Sequence, residues 1–339
     1  MSIPLKISVI VPFYNAASTL ARCLESILAN DYPHFEVLCV DDRSTDDGPA
    51  IAARYDVQLL QMIHQSGAAA ARNLAVNAAS GEILYFTDAD VIVPPNILER
   101  LAGLFTEHET MDACFGAYTI FPAADNFASV YKNLIHHHTH LTSKKRAATF
   151  WCGCGAVRRN SFVKAGGFDE SYTAASVEDI ELGYRMTKMG MDIRLRTDLR
   201  VTHAKHYTLR GLIASDLFGR AIPWTKLMAR KNVFRADLNL KINNILSGVL
   251  LALFMPTIVA AALVVPLEYI GPALAGALAG YLALNARIWW FVWQVKGLPF
   301  SLLFLLMLII TYLYSVVGFA WGLLAFVLEA AGIRRKNGQ

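Results

Sequence analysis

The chain has 339 residues, 55% of them hydrophobic and 17% charged, with a formal net charge of +4. Such a length suits one large domain with an appendage or two modest domains, and a charge this close to balance argues against a nucleic-acid partner. The apolar excess is concentrated: from Ile242 to Ile333 only Glu268, Arg287, Lys296 and Glu329 are charged, and all nine histidines and five cysteines precede that stretch.

Taken in order, the first 120 or so residues alternate apolar runs with helical patterns. Lys6–Pro12 is β-branched and reads as a strand, and Ser18 is placed to cap an amphipathic helix to about Ala29. Phe35–Val40 is a second strand ending in Asp41-Asp42, followed by a polar turn, Arg43–Gly48, and a short helix near Tyr55. Val57–Ile63 is a third strand and Ala68–Ala79 an alanine-rich helix. Glu82–Thr87 is a fourth strand ending at Asp88-Ala89-Asp90, with a helix from about Pro94 to His108. This alternation predicts a parallel sheet covered by helices on both faces. Ligands of such sheets bind beyond the carboxyl ends of the strands, where Asn15, Asp41, Asp42, Asp88 and Asp90 fall.

After Phe121 the pattern is irregular, punctuated by Gly153-Cys154-Gly155, Gly166-Gly167 and Glu178-Asp179. Cys23, Cys39, Cys114, Cys152 and Cys154 have no framework spacing, and Cys152-Gly-Cys154 lacks a second pair for zinc. They read as reduced thiols in a cytosolic domain. His136, His137, His138 and His140 have no accompanying carboxylate or cysteine, which points to a structural or acceptor-side role. The first apolar run, Ile7–Phe13, is too short to span a membrane or serve as a secretory signal. Residues 208–241 read as basic amphipathic helices. Arg210, Arg220, Lys226, Arg230, Lys231, Arg235 and Lys241 there suit anionic lipid headgroups on a cytoplasmic face, and so does Lys144-Lys145-Arg146.

Residues 242–333 hold three apolar segments: Asn244–Val265, Ile270–Ala286 with Trp289–Trp293 beyond, and Phe300–Leu328. The first and third meet the spanning length of about 20 residues. The middle one is marginal, so the region has two or three transmembrane spans. Three would leave Arg334-Arg335-Lys336 on the far side, against the positive-inside tendency; a re-entrant middle segment removes that conflict.

The chemistry lies in the front part. Asp88 and Asp90, two apart on an ending strand, point to one side and can hold a hard cation, Mg²⁺ or Mn²⁺, and through it a diphosphate. Other motifs surround them: Val9-Ile10-Val11-Pro12-Phe13-Tyr14-Asn15, Val40-Asp41-Asp42-Arg43-Ser44-Thr45-Asp46, Gly67-Ala68-Ala69-Ala70-Ala71-Arg72-Asn73, Gly153-Cys154-Gly155-Ala156, Gly166-Gly167-Phe168-Asp169, and Glu178-Asp179-Ile180-Glu181-Leu182 with Arg185. As an ordered set over about Ile7 to His206, they resemble the family 2 glycosyltransferases, inverting enzymes with the GT-A fold.

The resemblance implies an α/β, Rossmann-like GT-A nucleotide-diphospho-sugar transferase domain over residues 1–207; by charge and hydropathy, amphipathic interface helices (208–241) and C-terminal transmembrane helices (242–333) follow it. It implies that Asp42 binds the nucleobase with Asp41 nearby, that Pro12, Tyr14 and Asn15 open the nucleotide pocket, and that Arg72 lies beside the diphosphate. Asp88 and Asp90 match the metal motif, Asp90 the more direct ligand, with His203 or His206 completing the shell. Asp179 matches the catalytic base, flanked by Glu178, and Arg185 can hold that carboxylate in place. Two departures stand out. Ala75 replaces a glycine frequent in the family, and the Q-x-x-R-W motif of processive synthases is absent, Arg220-Ala-Ile-Pro-Trp224 being the nearest match, which argues against a long polymer product.

The expected reaction moves a sugar from a UDP- or GDP-linked donor to a hydroxyl of a membrane lipid or lipid-linked acceptor. The expected location is the inner or plasma membrane with the catalytic domain on the cytoplasmic side; the oligomeric state stays open. A polyprenyl-phosphate glycosyltransferase resembling dolichol-phosphate-mannose synthase is the alternative, and an inactive sugar-nucleotide-binding scaffold is an alternative of another class.

Overall fold

The structure, a computed structural model, describes residues 4–174, 176–231, 241–261 and 266–332. Arg235 and the rest of 232–240, residues 262–265, and Arg334-Arg335-Lys336 lie outside the described residues. The chain divides into two compact units, Met1–Tyr207 and Thr208–Gln339.

The front unit opens with β1 (Ile7–Phe13), α1 (Leu20–Leu28), β2 (Phe35–Asp41), α2 (Gly48–Ala52), β3 (Gln58–Gln61), α3 (Ala68–Ala78) and β4 (Ile83–Phe86). β1 pairs in parallel with both β2 and β4, and β2 with β3. Every residue of β1 is buried, as a central strand covered on both faces requires. α1 buries Leu20, Cys23, Leu24 and Ile27, one face of a helix at its natural spacing. Its N-cap is Thr19 rather than Ser18, and no side chain bonds the helix start. The helix expected near Tyr55 begins earlier, at Gly48, with Pro49 in its first turn, where a missing N–H costs nothing.

The second half of this unit departs from the expected parallel sheet. It contains β5 (Val91–Ile92), α4 (Ile97–Glu107), β6 (Ala113–Tyr118), α5 (Phe127–Leu141), β7 (Gly155–Arg158), α6 (Arg159–Lys164), α7 (Glu178–Lys188) and β8 (Ile193–His203). The strand order is β3-β2-β1-β4-β7-β6-β8-β5. β7 runs antiparallel to β4 and β6, and β5 antiparallel to β8, so the sheet is mixed. Its two faces carry separate cores. Val9, Val11, Leu24, Ile97, Leu101 and Phe105 pack on one side, and Ile10, Ala71, Ala75, Phe86, Phe115 and Leu182 on the other. Complete burial of a ring such as Phe86 or Phe115 contributes about 1.5–3 kcal/mol. The small residues of α3 let that helix lie close on the sheet.

The second unit contains α8 (Leu209–Asp216), a π turn (Leu217–Ala221), α9 (Ile222–Lys231), α10 (Ile242–Ala261) and the helical stretch α11 (Leu267–Ala330). α11 is not straight. Gly297 has φ 77°, ψ 174°, open to glycine at little cost, and Pro299 then starts a new helix. The chain doubles back there: Trp289 Nε1 donates to Ser301 Oγ (3.2 Å), Tyr281 Oη to the Leu305 carbonyl (2.7 Å), and Tyr312 Oη to Asn285 Oδ1 (2.7 Å). The middle apolar segment, Ile270–Ala286 with Trp289–Trp293 beyond, forms one continuous helical limb. Glu268–Ala330 is long and apolar enough to cross a membrane. Lys226 and Arg230 of the basic cluster pair with Glu329 at the end of α11, so they tie helices together instead of projecting freely.

Candidate active site

Polar residues gather where β1, β2 and β4 end, as the strand rule requires. Just past β1 and β2, Asn15 (φ 51°) and Arg43 (φ 66°) adopt left-handed backbone conformations and turn the chain at the edge of the sheet. Pro12 is buried in β1 and Tyr14 is exposed beyond it. Asn15 Oδ1 accepts from the backbone N–H (2.8 Å) and hydroxyl (3.2 Å) of Thr45, stapling the turn that follows β2.

Asp41 and Asp42 are both buried. Asp41 accepts from Ser44 N (2.8 Å) and Gln61 Nε2 (2.9 Å). Asp42 accepts from Ser66 N (2.7 Å) and Gly67 N (2.9 Å). Gly67 has φ 89°, and a Cβ there would lie 2.6 Å from the Thr173 carbonyl, so glycine is required on both counts. Asp42 therefore fixes the loop that launches α3, and with it the helix that carries Arg72. Carboxylate oxygens accept more than one bond each, so both acids keep acceptor capacity.

Arg72 is buried and bridges two acids: Nη2 donates to Asp88 Oδ1 and Nη1 to Glu178 Oε1, each at 2.8 Å. Its guanidinium also lies 5.5 Å from the centre of the Phe168 ring. It lies between the acid after β4 and the start of α7, and among the described residues its buried Nε has no hydrogen-bond partner. Burial pushes the Asp88 carboxyl above its usual range; Arg72 offsets part of that, and Asp90 and Glu178 add to it.

Asp90 meets its partner through the sheet. Val91 pairs with His203, and the Asp90 carbonyl accepts from Ala204 N at 2.7 Å. Asp90 Oδ2 consequently lies 3.7 Å from His203 Nε2 and 3.9 Å from Lys205 Nζ. Burial acts to raise the Asp90 pKa, but the His203 hydrogen bond and the charges of His203 and Lys205 prevail and hold it below the ordinary value. His206, the other candidate, is exposed and outside this pair. Tyr118 stacks on His203 (4.4 Å between centroids, 15° between planes) and fixes its ring.

Two ligands about 2.1 Å from one ion lie within about 4.2 Å of each other, so Asp90 and His203 fit a shared Mg²⁺ or Mn²⁺, with Asp88 nearby. Among the described residues no group of three or more His, Cys, Asp or Glu is arranged as a metal cluster. The remaining positions would fall to substrate phosphate and water, the habit of hard cations that keep an open shell.

Glu178 and Asp179 form the first turn of α7. Asp179 Oδ1 accepts from Ile180 N (2.8 Å) and Oδ2 from Cys152 N (3.2 Å), and among the described residues no cationic side chain pairs with it. Burial first, and then the charge of Glu178, push its pKa up to about 7, against the lowering effects of Arg72 and the Cys152 N–H. Arg185 does not hold Asp179. It pairs with Glu181 at 2.7 Å and donates to the carbonyls of Ala165 and Gly167, so it anchors the Gly166-Gly167 turn. At i+4 from Glu181 and facing that turn, its charge is already committed.

The histidine run buttresses β6: ring Nδ1 of His137 bonds the Tyr118 carbonyl (2.7 Å) and that of His140 the Gly116 carbonyl (2.9 Å). His136, His140 and Tyr118 surround the Trp151 ring at centroid distances of 4.7, 5.1 and 4.8 Å. Lys205, Tyr118 and Trp151 are site neighbours that the sequence reading missed, and Phe168 entered it only as part of the Gly166-Gly167-Phe168-Asp169 motif. Of the three missed, Lys205 carried a signal, as a cation two residues from a candidate ligand.

Residues 8–166 match the sequence family described as Glycosyl transferase family 2. That match lies within the front unit and covers most of it. Glycosyltransferase GlyG of Streptococcus pneumoniae is 36% identical to the chain over 124 residues, covering 35% of this chain and 41% of that protein. Pre-mycofactocin glycosyltransferase of Mycobacterium tuberculosis is 29% identical over 231 residues, covering 64% and 47%. The chain thus spans less than half the length of these relatives. The mannosyltransferase PcManGT from Pyrobaculum calidifontis, solved with GDP-Man and Mn²⁺, superposes with a TM-score of 0.54 at 20% identity, over 98% of this chain and 87% of that one. The mixed sheet of the front unit has the GT-A fold, and the second unit carries a long apolar helical stretch.

Proposed function

We propose that the chain is a metal-dependent, inverting glycosyltransferase that moves a sugar from a UDP- or GDP-linked donor to a hydroxyl of a membrane lipid or lipid-linked acceptor. One observation carries the reading: of the acids around Arg72, Asp179 has no cationic partner and a pKa near 7, the value that suits a general base at neutral pH. Asp179 takes the proton of the acceptor hydroxyl as its oxygen attacks the anomeric carbon, and the donor diphosphate leaves on the opposite face. One displacement inverts that carbon. Glu178, held by Arg72, sets the proton affinity of Asp179. Asp90 and His203, with Asp88, would hold Mg²⁺ or Mn²⁺, which when bound offsets charge developing on the leaving diphosphate. Asp41 and Asp42 line the base pocket with Pro12 and Tyr14. The donor class and divalent cation are supported by the GDP-Man and Mn²⁺ of PcManGT.

A polyprenyl phosphate acceptor is already anionic and would make no use of a carboxylate tuned in this way. The membrane reading rests on α11. Each of its limbs extends about 45 Å at 1.5 Å per residue, enough to cross a bilayer core of about 30 Å. Two crossings return Glu329 to the membrane face of Lys226 and Arg230, its partners on α9, a cytoplasmic face by the positive-inside tendency. The test is an assay of the full-length protein in nanodiscs with radiolabelled UDP- and GDP-sugars, extracted membrane lipids and MnCl₂. Labelled lipid that becomes alkali-stable glycoside with inverted anomeric configuration is the expected product. Absence of transfer from every donor would refute the reading.

A further inference from the structure

A second cationic feature lies at the other end of β8 from His203, roughly 30 Å away along an 11-residue strand. A cavity of about 960 Å³ there is lined by Lys145, Arg146, Arg194 and Arg196 against Asp192 and Asp198. Asp198 is already held by Arg100 (2.8 Å) and Arg196 (3.0 Å). That leaves Asp192 as the counter-charge of the other three.

The backbone sets the geometry. Arg146 forms an antiparallel bridge with Arg194, flanked by bonds from Leu195 N to the Lys145 carbonyl (2.7 Å) and from Ala147 N to the Ile193 carbonyl (2.9 Å). Facing residues between such flanking bonds are the closely spaced kind, and like charges placed directly opposite destabilise a sheet. Asp192, two residues before Arg194 and so on the same face, meets both arginines through Nε: Arg194 at 2.7 Å and Arg146 at 3.5 Å. Among the described residues the Nη groups of both have no protein partner. Arg194 is thus hydrogen-bonded to Asp192 through Nε and Arg146 is ion-paired with the same carboxylate, in a cavity that Lys145 also lines, with Arg146 itself 79% exposed. Paired guanidinium ends match the oxygens of a tetrahedral oxyanion.

We propose that Arg146 and Arg194, held by Asp192, form a binding fork for a phosphate group, separate from the donor site. The phosphate belongs to a lipid headgroup or to a soluble phosphate. The proposal stands whether or not the front unit transfers sugar.

The test uses the full-length protein with EDTA present, in nanodiscs of phosphatidylcholine titrated with inorganic phosphate, and in nanodiscs with phosphatidate added. Thermal unfolding is the readout for wild type, Arg146→Gln, Arg146→Lys and the double variant Arg146→Gln/Arg194→Gln. Wild type should gain a saturable rise in Tm in one arm. A rise with phosphate identifies a soluble ligand, and a rise only with phosphatidate a headgroup. Arg146→Gln should weaken binding about tenfold, one charge-assisted bond's worth, and Arg146→Lys nearly as much, because an ammonium keeps charge but not the fork. Arg146 is exposed, so the single variant remains informative if the double variant does not fold. Equal shifts in wild type and Arg146→Gln, no shift in either arm, or wild-type binding by Arg146→Lys would each overturn the fork.

Discussion

Replacing Asp179 by Asn separates chemistry from structure, because the two readings of this residue predict opposite signs. The carboxyl is raised from 3.8 to about 7 by burial and by Glu178. A raised acid binds its proton more tightly when folded, so its stability contribution is intact below about pH 4 and is lost as pH rises through about 7. A rise of that size corresponds to about 4 kcal/mol as an upper bound; partial exposure and screening reduce this to about 1–2 kcal/mol. Asparagine removes that charge but leaves one of the two bonded N–H groups, Ile180 or Cys152, facing an amide NH2 with no acceptor, costing about 1 kcal/mol. The variant should therefore match or exceed wild-type stability at pH 8 and lose its advantage at pH 5. Its turnover should fall by about 10²-fold or more with donor affinity unchanged. Wild-type kcat/KM should fall about tenfold per pH unit below about 7. Initial rates at saturating Mn²⁺ and donor, with thermal unfolding at both pH values, decide it. A variant that is less stable at pH 8 yet keeps its turnover would show that Asp179 only supports the first turn of α7.

Asp90→Ala should abolish transfer while leaving the fold intact, and excess EDTA should do the same to wild type until Mn²⁺ or Mg²⁺ is restored; full turnover in EDTA would exclude the metal. Arg72→Lys keeps the charge but cannot bond Asp88 and Glu178 through a planar fork, so it should cost about 2–3 kcal/mol in denaturant unfolding and at least about tenfold in kcat. Cysteines introduced at the C-terminal end of α11 and in α9 should react with an impermeant thiol reagent from the same membrane face; labelling from opposite faces would rule out two crossings.

The strands β1, β2 and β4 were legible because each is a short apolar run, and the acids because β2 and β4 lead directly into aspartates. α10 and α11 were legible because an apolar stretch of that length has few other destinations. The mixed half of the sheet was not. β6 (Ala113–Tyr118) is small and weakly hydrophobic, and β7 has only four residues, so neither exceeds the helical background around it. β8 does alternate, with Ile193, Leu195, Leu199 and Val201 buried, but its charged outer face obscured the signal. The reversal at Gly297 needed the glycine and Pro299 to be read together as a stop and a start. Arg185 and Arg72 show the limit for site residues. Both lie in the right motifs, yet which carboxylate each reaches depends on how α3, α7 and the Gly166-Gly167 turn pack.

In the proposed mechanism, that packing gives four acids in one cleft different tasks. Arg72 carries a single positive charge and spends it on Asp88 and Glu178, the two acids it touches. Asp90 lies beyond its reach and takes its stabilisation from His203 and Lys205, which keep it ionised and ready for a cation. Asp179 receives neither partner among the described residues and sits beside Glu178, so burial and that neighbouring charge raise its proton affinity. Environments that drive neighbouring carboxylates apart in proton affinity assign their roles. Moving the Arg72 charge by one bond would redistribute all four, so under the proposed mechanism the arginine, without touching the reacting atoms, would govern which acid anchors the cation and which accepts the proton.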